Sequence, residues 1–567
     1  MYYTYMFKFL FLTSCILFFR SSGFYHISLK NLAIFYTIQM ITDEELARRM
    51  DDISESFTST VLYSPAQGDK TLVKIASIVR NASKKQLQSR HPRALVTCIL
   101  RILLHYENVI HVNGFCEWKR RRKFRIARDC YHALLKSYLP ERSREVVETI
   151  VEAVYHERLW KFETFCFEVM YTLLNVSPAN IGLIIHAVWN KLTSPEIGVE
   201  DARGIIRILY ELLDVYVWPA TQDTVATVER MLSLFHASII ARLTMISNSS
   251  ASPSTPPSSS PPLASLKKGL EVCLRNTMKH LSNDQLLIIV QHMCSWTVAA
   301  DTTDEFVLEF GSTLEFAAYT HQAGLYEQTL TPTIFPLLMR MVGSSSRLIS
   351  LLGNRVLQYL IDRTDNRAVF DTPRIFFEQT RVDLNRVTQC KKEDRLFFKL
   401  HRELLHDSLL KSLVNHSDSR MNLETTYCTI CLIAVEVPCG FTAAALVCLA
   451  MNLQEIILQE QQQQQQQQLQ NNRVEIFCHI HATIISIMSF ICWIHKAKVF
   501  YSYVNRIVME RAHWAPHLNP PIQSQYNFAL HHVLWDKPEL FFIDWEARYG
   551  LWKCFRLTDS HNGTSLI

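Results

Sequence analysis

The shortage of glycine constrains this chain most: 14 glycines in 567 residues, far below the roughly 7% of an average protein. Tight hairpins, phosphate-cradling loops and doubly wound sheets depend on glycine's access to positive φ. Helix interiors instead penalise each glycine by about 1 kcal/mol. The shortage therefore predicts an all-α fold. Hydrophobic residues make up 48% of the chain and charged residues 20%, which excludes global disorder. The chain also exceeds the roughly 250–300 residues at which one hydrophobic core stops growing. It must be several domains or one stack of repeats.

Periodicity favours the stack. Arg203 to Val217 places Ile205, Ile206, Leu209, Leu212 and Leu213 on one helical face. Thr224 to Ala241 does the same with Val225, Val228, Leu232, Phe235 and Ile239, and Ala127 to Leu135 with Ala127, Cys130, Tyr131, Leu134 and Leu135. Phe165 to Leu174 and Ile181 to Leu192 follow, separated at Ser177–Pro178, where serine can cap and proline can open a helix. Successive amphipathic helices joined by short turns predict an armadillo- or HEAT-like helical solenoid, an elongated rod in which each helix pair covers its neighbour's apolar face. A multi-domain helical bundle is the alternative.

The expected organisation has six parts: an apolar segment over 1–42, helical repeats over 43–247 and 263–458, a Ser/Pro-rich linker at 248–262, a Gln-rich loop at 459–472, and C-terminal helices over 473–567. The first segment lacks the basic start and small-residue cleavage site of a secretory signal. Lys30 and Asn31 interrupt its second apolar stretch. It reads as a membrane-associated segment or as wrongly assigned first-exon sequence. The fifteen cysteines lie singly in apolar segments, which suits reduced core thiols better than a disulfide framework.

The sequence offers no catalytic apparatus and no cofactor site. It has no Gly-rich phosphate loop and no Gly-x-Ser-x-Gly elbow. His401 and His406 are five residues apart, on different helix faces, and cannot share a metal as an i, i+4 pair does. Cys428-Thr-Ile-Cys431 is a lone CxxC inside an apolar run, where core packing is the ordinary outcome. One charge cluster stands out: Lys119, Arg120, Arg121, Arg122, Lys123 and Arg125, read as a loop before a helix beginning near Ile126. Cations there oppose the helix dipole, so an anionic lipid surface or an acidic protein partner would explain them. A solvated loop would also accommodate them. With only Trp118 and Phe124 interleaved, nucleic acid is not expected.

Between Leu360 and His401 the chain reads Leu360-Ile-Asp-Arg-Thr-Asp-Asn-Arg367, then Phe370-Asp-Thr-Pro-Arg-Ile375, then Lys392-Glu-Asp-Arg-Leu-Phe-Phe-Lys-Leu-His401. This block resembles the Efr-three family, called rolling blackout in flies. Looser similarity extends over roughly Ala127 to Leu557, including Arg128-Asp-Cys-Tyr-His-Ala-Leu-Leu135 and Arg511-Ala-His-Trp-Ala-Pro-His-Leu518. The resemblance implies a non-enzymatic rod on the cytoplasmic face of the plasma membrane. It would recruit a phosphatidylinositol 4-kinase type III alpha complex through a tetratricopeptide-repeat subunit and so support phosphatidylinositol 4-phosphate synthesis. Family members begin with palmitoylated cysteines and end in a long tail, whereas here Cys15 is the one cysteine before Cys98 and the chain stops at Ile567. The expectation is a divergent or partial member, with no lipidation or partner-binding residue carried over. A soluble helical adaptor in cytosolic trafficking is the alternative.

Overall fold

The computed structural model describes residues 41–58, 65–113, 118–192, 197–249, 262–382, 391–466, 474–523 and 537–543, with Ser194 and Leu384. Among these residues there are helices, turns and no strand. The expected apolar segment lies outside the described residues except for Ile41 and Thr42, as does most of the expected Ser/Pro linker. The chain divides into two compact units, one up to Ile184 and one from Ile185.

The first unit contains α1 (Asp43–Thr58), α2 (Pro65–Asn81), α3 (Lys84–Gln88), α4 (Arg93–Asn113), α5 (Trp118–Tyr138), α6 (Ser143–His156) and α7 (Glu163–Val176). A capping box starts α3: the Ser83 hydroxyl accepts from the Gln86 amide, and the Gln86 side chain accepts from Ser83 N–H. The centre of the unit is α4, which packs on α1, α2, α5 and α6. Its Leu95, Ile99 and Leu103 are buried with Ile53 of α1, Ile75 of α2 and Ile150 of α6. Helix α8 (Ile181–Leu192) spans the boundary between the units.

The second unit shows a repeat most clearly. Its helices are α9 (Val199–Val215), α10 (Gln222–Ser249), α11 (Pro262–Met278), α12 (Asn283–Thr297), α13 (Asp304–Thr320), the short α14 (Tyr326–Thr329), α15 (Ile334–Val342), α16 (Arg347–Ile361), α17 (Lys392–Leu400), α18 (Arg402–Asn415), α19 (Arg420–Glu436), α20 (Gly440–Gln466), α21 (Val474–Ile494) and α22 (Lys498–Trp514). Hairpin partners α10–α11, α12–α13, α15–α16, α18–α19 and α20–α21 pack together. Each member also packs on its counterpart in the next pair. One layer runs α10, α12, α15, α18, α20, and the other α11, α13, α16, α19, α21. This two-layer succession makes the fold an all-α helical solenoid. Its second layer carries the deepest core: α21 is buried from Ile480 to Cys492, and α19 from Thr426 to Glu436.

Buried hydroxyls and amides pin the register of three neighbouring helices. Asn354 of α16 donates to Ser412 of α18 (3.3 Å) and accepts from Thr429 of α19 (2.9 Å). Ser412 also pairs with Ser350 and Thr426, and Gln358 donates to the Thr425 carbonyl at 2.8 Å. Satisfied networks of this kind favour one packing arrangement over slipped alternatives.

Gly353 of α16 lies against α15. A Cβ there would lie 2.7 Å from Met341 Cβ and 2.8 Å from the Val342 backbone nitrogen. Backbone cannot yield as a side chain does. Gly353→Ala should therefore destabilise the second unit by about 1–3 kcal/mol. An unchanged denaturation midpoint would show that the two helices separate freely.

One expected boundary moves. The Gln-rich stretch does not open a loop at Gln459, because α20 continues as helix to Gln466. Glutamine is a good helix former and nothing in the tract interrupts the backbone; residues 467–473 lie outside the described residues. Helices α20 and α21 also have the length and hydropathy of membrane spans, but 61% and 83% of their apolar windows are buried within the protein. They read as core helices of the second layer and its hairpin partner.

Candidate functional site

The expected loop of cations is helical. Helix α5 begins at Trp118, so Lys119 to Arg125 occupy its first two turns. Lysine and arginine have high helix propensity. No glycine or proline separates them from the apolar stripe that starts at Ala127. These preferences outweigh the unfavourable dipole interaction, which is only about 0.3–1 kcal/mol per charge.

The cluster also divides by role. The side chains of Lys119, Arg120 and Arg121 lie outside the described residues. Lys123 is half-buried and forms an ion pair with Asp69 of α2, which also accepts the Tyr106 hydroxyl of α4. Burial pushes the Asp69 carboxyl up, but hydrogen bonds from Lys123 and Tyr106 outweigh it and hold the group below its usual value. Lys123 is thus part of the packing among α2, α4 and α5. Arg122 and Arg125 are exposed and have no ion-pair partner among the described residues. Exposed Lys70, Val73 and Lys74 lie on α2 around the Asp69–Lys123 contact, and Ile126 adds a partly exposed apolar side chain on α5. Lys74 is 3.5 Å from Asp52, an exposed contact of little energetic weight. The surface is basic with isolated apolar side chains, suited to an anionic partner.

Several residues of the Leu360–His401 block point inward, while others, among them Asp371, Arg374, Leu396 and Leu400, are exposed. At the end of α16, the Asp362 carboxylate accepts backbone N–H groups of Thr364, Asn366 and Arg367 at 2.9–3.3 Å. Asp365 takes φ 55°, a left-handed conformation that aspartate tolerates better than most residues. Arg363 donates to Asp394 of α17 (2.8 Å) and to the Gly324 carbonyl (2.8 Å), and its guanidinium lies 3.8 Å from the Tyr326 ring centroid. Asp394 also accepts the Tyr326 amide at 3.0 Å. Glu436, at the last turn of α19, accepts Arg363 N–H and the Thr364 hydroxyl at 3.2 and 2.7 Å. The Tyr326 hydroxyl reaches the Ile361 carbonyl and Glu436. Asp394, Asn366, Tyr326 and Glu436 are all buried.

Phe370, Phe376, Phe397 and Phe398 of the block are buried as well. Phe397 meets Phe335 edge-on and Phe398 meets Tyr326 edge-on, while Phe370 and Phe376 pack at an angle against Phe490 of α21. At the centre of the motif is a buried polar knot joining α14, α16, α17 and α19. Glu436 was missed in the sequence, although a lone carboxylate closing the apolar run from Thr429 to Val437 was its signal.

The remaining candidates also sort by packing. His401 packs at a tilt against Phe335 and Phe397, whereas His406 faces Asn452 and Asp407. Cys428 and Cys431 are buried in α19. Burial pushes the Cys428 thiol up to about 12 and Cys431 well above its ordinary value, so both are protonated at neutral pH. Among the described residues, no group of three His, Cys, Asp or Glu side chains could hold a metal ion.

The model of the family described as EFR3, armadillo repeat, matches residues 69–531. The chain belongs to that family. Among EFR3 relatives, Protein EFR3 homolog A of Xenopus laevis is 21% identical over 428 residues, covering 70% of this chain and 50% of the relative. The chain therefore spans about half the length of the curated EFR3 relative it matches. No solved structure matches it. The family match starts at Asp69, on the helix that receives Lys123, and contains both the basic start of α5 and the buried knot. EFR3 membership makes the chain one of a scaffold-type family, in keeping with the solenoid architecture.

Proposed function

We propose that this EFR3-family chain is a non-catalytic scaffold that binds the anionic cytoplasmic face of the plasma membrane and recruits a phosphatidylinositol 4-kinase type III alpha complex. A tetratricopeptide-repeat subunit would be the direct contact, and phosphatidylinositol 4-phosphate synthesis the outcome. The family match supports the scaffold role. The membrane contact rests on one observation: Arg122 and Arg125 are exposed on α5 without ion-pair partners among the described residues, while neighbouring Lys123 is held by Asp69. Cations spared from pairing within the protein remain available to lipid phosphates and carboxylates.

Each cation near an anionic surface contributes about 1 kcal/mol, so loss of two should weaken binding roughly thirtyfold. Arg122→Glu with Arg125→Glu should reduce co-sedimentation of the full chain with phosphatidylserine vesicles by at least that factor at low salt. Binding to neutral vesicles should remain weak in both proteins. A single lipid-directed signal gives marginal attachment, so the basic helix acts with a second one. Equal sedimentation of both proteins would remove α5 from the membrane contact, and no sedimentation of the unaltered chain would favour a soluble adaptor.

A further inference from the structure

The short segment Lys537–Ile543 lies against the last three helices of the second unit. Pro538–Leu540 form one 3₁₀ turn, and the backbone is extended at Phe541. Gln454 of α20 grips Phe542 twice, accepting its amide at 3.0 Å and donating to its carbonyl at 3.3 Å. Arg511 of α22 donates to the Leu540 carbonyl at 2.7 Å. Leu540, Phe541 and Phe542 are buried, with Phe541 against His481 of α21 and Phe542 against Tyr503 of α22. Lys537 reaches Glu510 and sits 4.0 Å from the Trp514 ring centroid, while Pro538 and Glu539 face solvent.

Leu540 and Phe541 join Cys478, Ala515 and Leu518 in one buried cluster, yet two features of the segment stand out. Among the described residues, its polar ties to the helices are made by the side chains of Gln454, Arg511 and Glu510; its backbone-to-backbone bonds are internal, from Leu540 to Lys537 and from Phe541 to Pro538. Gripping main chain with fixed side chains, while pockets take particular side chains, is how proteins read linear peptides. Arg511 is also fully buried, and its guanidinium is surrounded by the carbonyls of Leu540, His481 and Leu518, with Nη2 left without an acceptor in the structure. Removing the segment would expose a donor already oriented for a peptide carbonyl.

We propose that the groove formed by α20, α21 and α22 is a peptide dock, that Lys537–Ile543 is its ligand in cis, and that it accepts a peptide of the same pattern in trans. That pattern is a cation and a proline, followed after one residue by leucine and two aromatics. Gln454 and Arg511 recognise the main chain, the pockets recognise Leu540 and the phenylalanines, and Glu510 with Trp514 recognises the cation.

The test uses a fluorescein-labelled peptide with the sequence of Lys537–Ile543 and full-length protein, read by fluorescence anisotropy. Leu540→Asp with Phe542→Asp should eject the internal segment. The peptide should then bind this variant at least tenfold more tightly than the unaltered chain. Adding Gln454→Leu should weaken that binding at least tenfold. Equal binding to both proteins, no binding to a folded ejection variant, or indifference to Gln454→Leu would overturn the proposal. Circular dichroism establishes whether the variant is folded. If it is not, hydrogen exchange on the unaltered chain decides: a dock requires Leu540, Phe541 and Phe542 amides to exchange at least tenfold faster than the buried amides of α21. Equal exchange would make the segment integral core and overturn the proposal.

Discussion

Asp394→Ala should destabilise the second unit by about 3–5 kcal/mol, as expected when one partner of a buried ion pair is removed. Arg363 would lose its carboxylate inside a site where its side chain is 10% exposed and that of Asp394 1%. Its charge would remain desolvated, with the Tyr326 ring and the Gly324 carbonyl as its main compensation. The Tyr326 amide would lose its acceptor in the same step. Replacing both Arg363 and Asp394 with leucine should be much less damaging, because it removes the stranded charge as well as the pair. Guanidinium denaturation of the full chain, followed through the transition of the second unit, measures both variants. A midpoint for Asp394→Ala within error of the unaltered protein would mean that the knot contributes nothing to folding. The block would then need a binding role to explain its composition.

Arg511→Met should have a similar effect, roughly 3 kcal/mol, for a different reason. Burial pushes the guanidinium down to about 9, which still leaves it protonated at neutral pH. Three carbonyl oxygens, those of Leu540, His481 and Leu518, take its hydrogen bonds. Methionine fills the volume but donates nothing. Each stranded buried carbonyl costs about 1–3 kcal/mol, partly offset because no charge is buried any longer. Arg511→Lys should lie between the two, since a single ammonium cannot reproduce the planar fork. The expected local signature is faster hydrogen exchange at Leu540 and Leu518, with α16 to α19 unaffected. Slower or unchanged exchange there would contradict the role assigned to Arg511.

Much of the fold was legible because helix length and apolar stripe are local properties. Ile181–Leu192 runs as read, and the Ile205–Leu213 stripe of α9 is buried along its length. Boundaries failed where charge or composition was given more weight than backbone propensity. The cations of α5 were read as a loop before a helix beginning near Ile126, yet the helix starts at Trp118; the glutamines were read as a loop, yet α20 runs on to Gln466. At Ser177–Pro178 the proline opens a short 3₁₀ turn, but the serine side chain makes no cap. The division after Ile184 had no sequence signal, since it falls inside α8, without a linker.

The candidate site was less legible than the fold. The motif residues were visible, but their orientation was not: Arg363, Asp394 and Glu436 are separated along the chain and meet only after α16, α17 and α19 have stacked. For the same reason the six cations looked equivalent, whereas Asp69 takes Lys123 and leaves Arg122 and Arg125 exposed. Exposure and pairing are tertiary properties, which a local pattern of charges does not contain.

Depleting the protein in its native cells should lower plasma-membrane phosphatidylinositol 4-phosphate and release the type III alpha kinase from the membrane. Both should be restored by the unaltered chain and poorly restored by the Arg122→Glu, Arg125→Glu chain at equal abundance. A kinase that stays at the membrane with unchanged lipid levels after depletion would contradict the account.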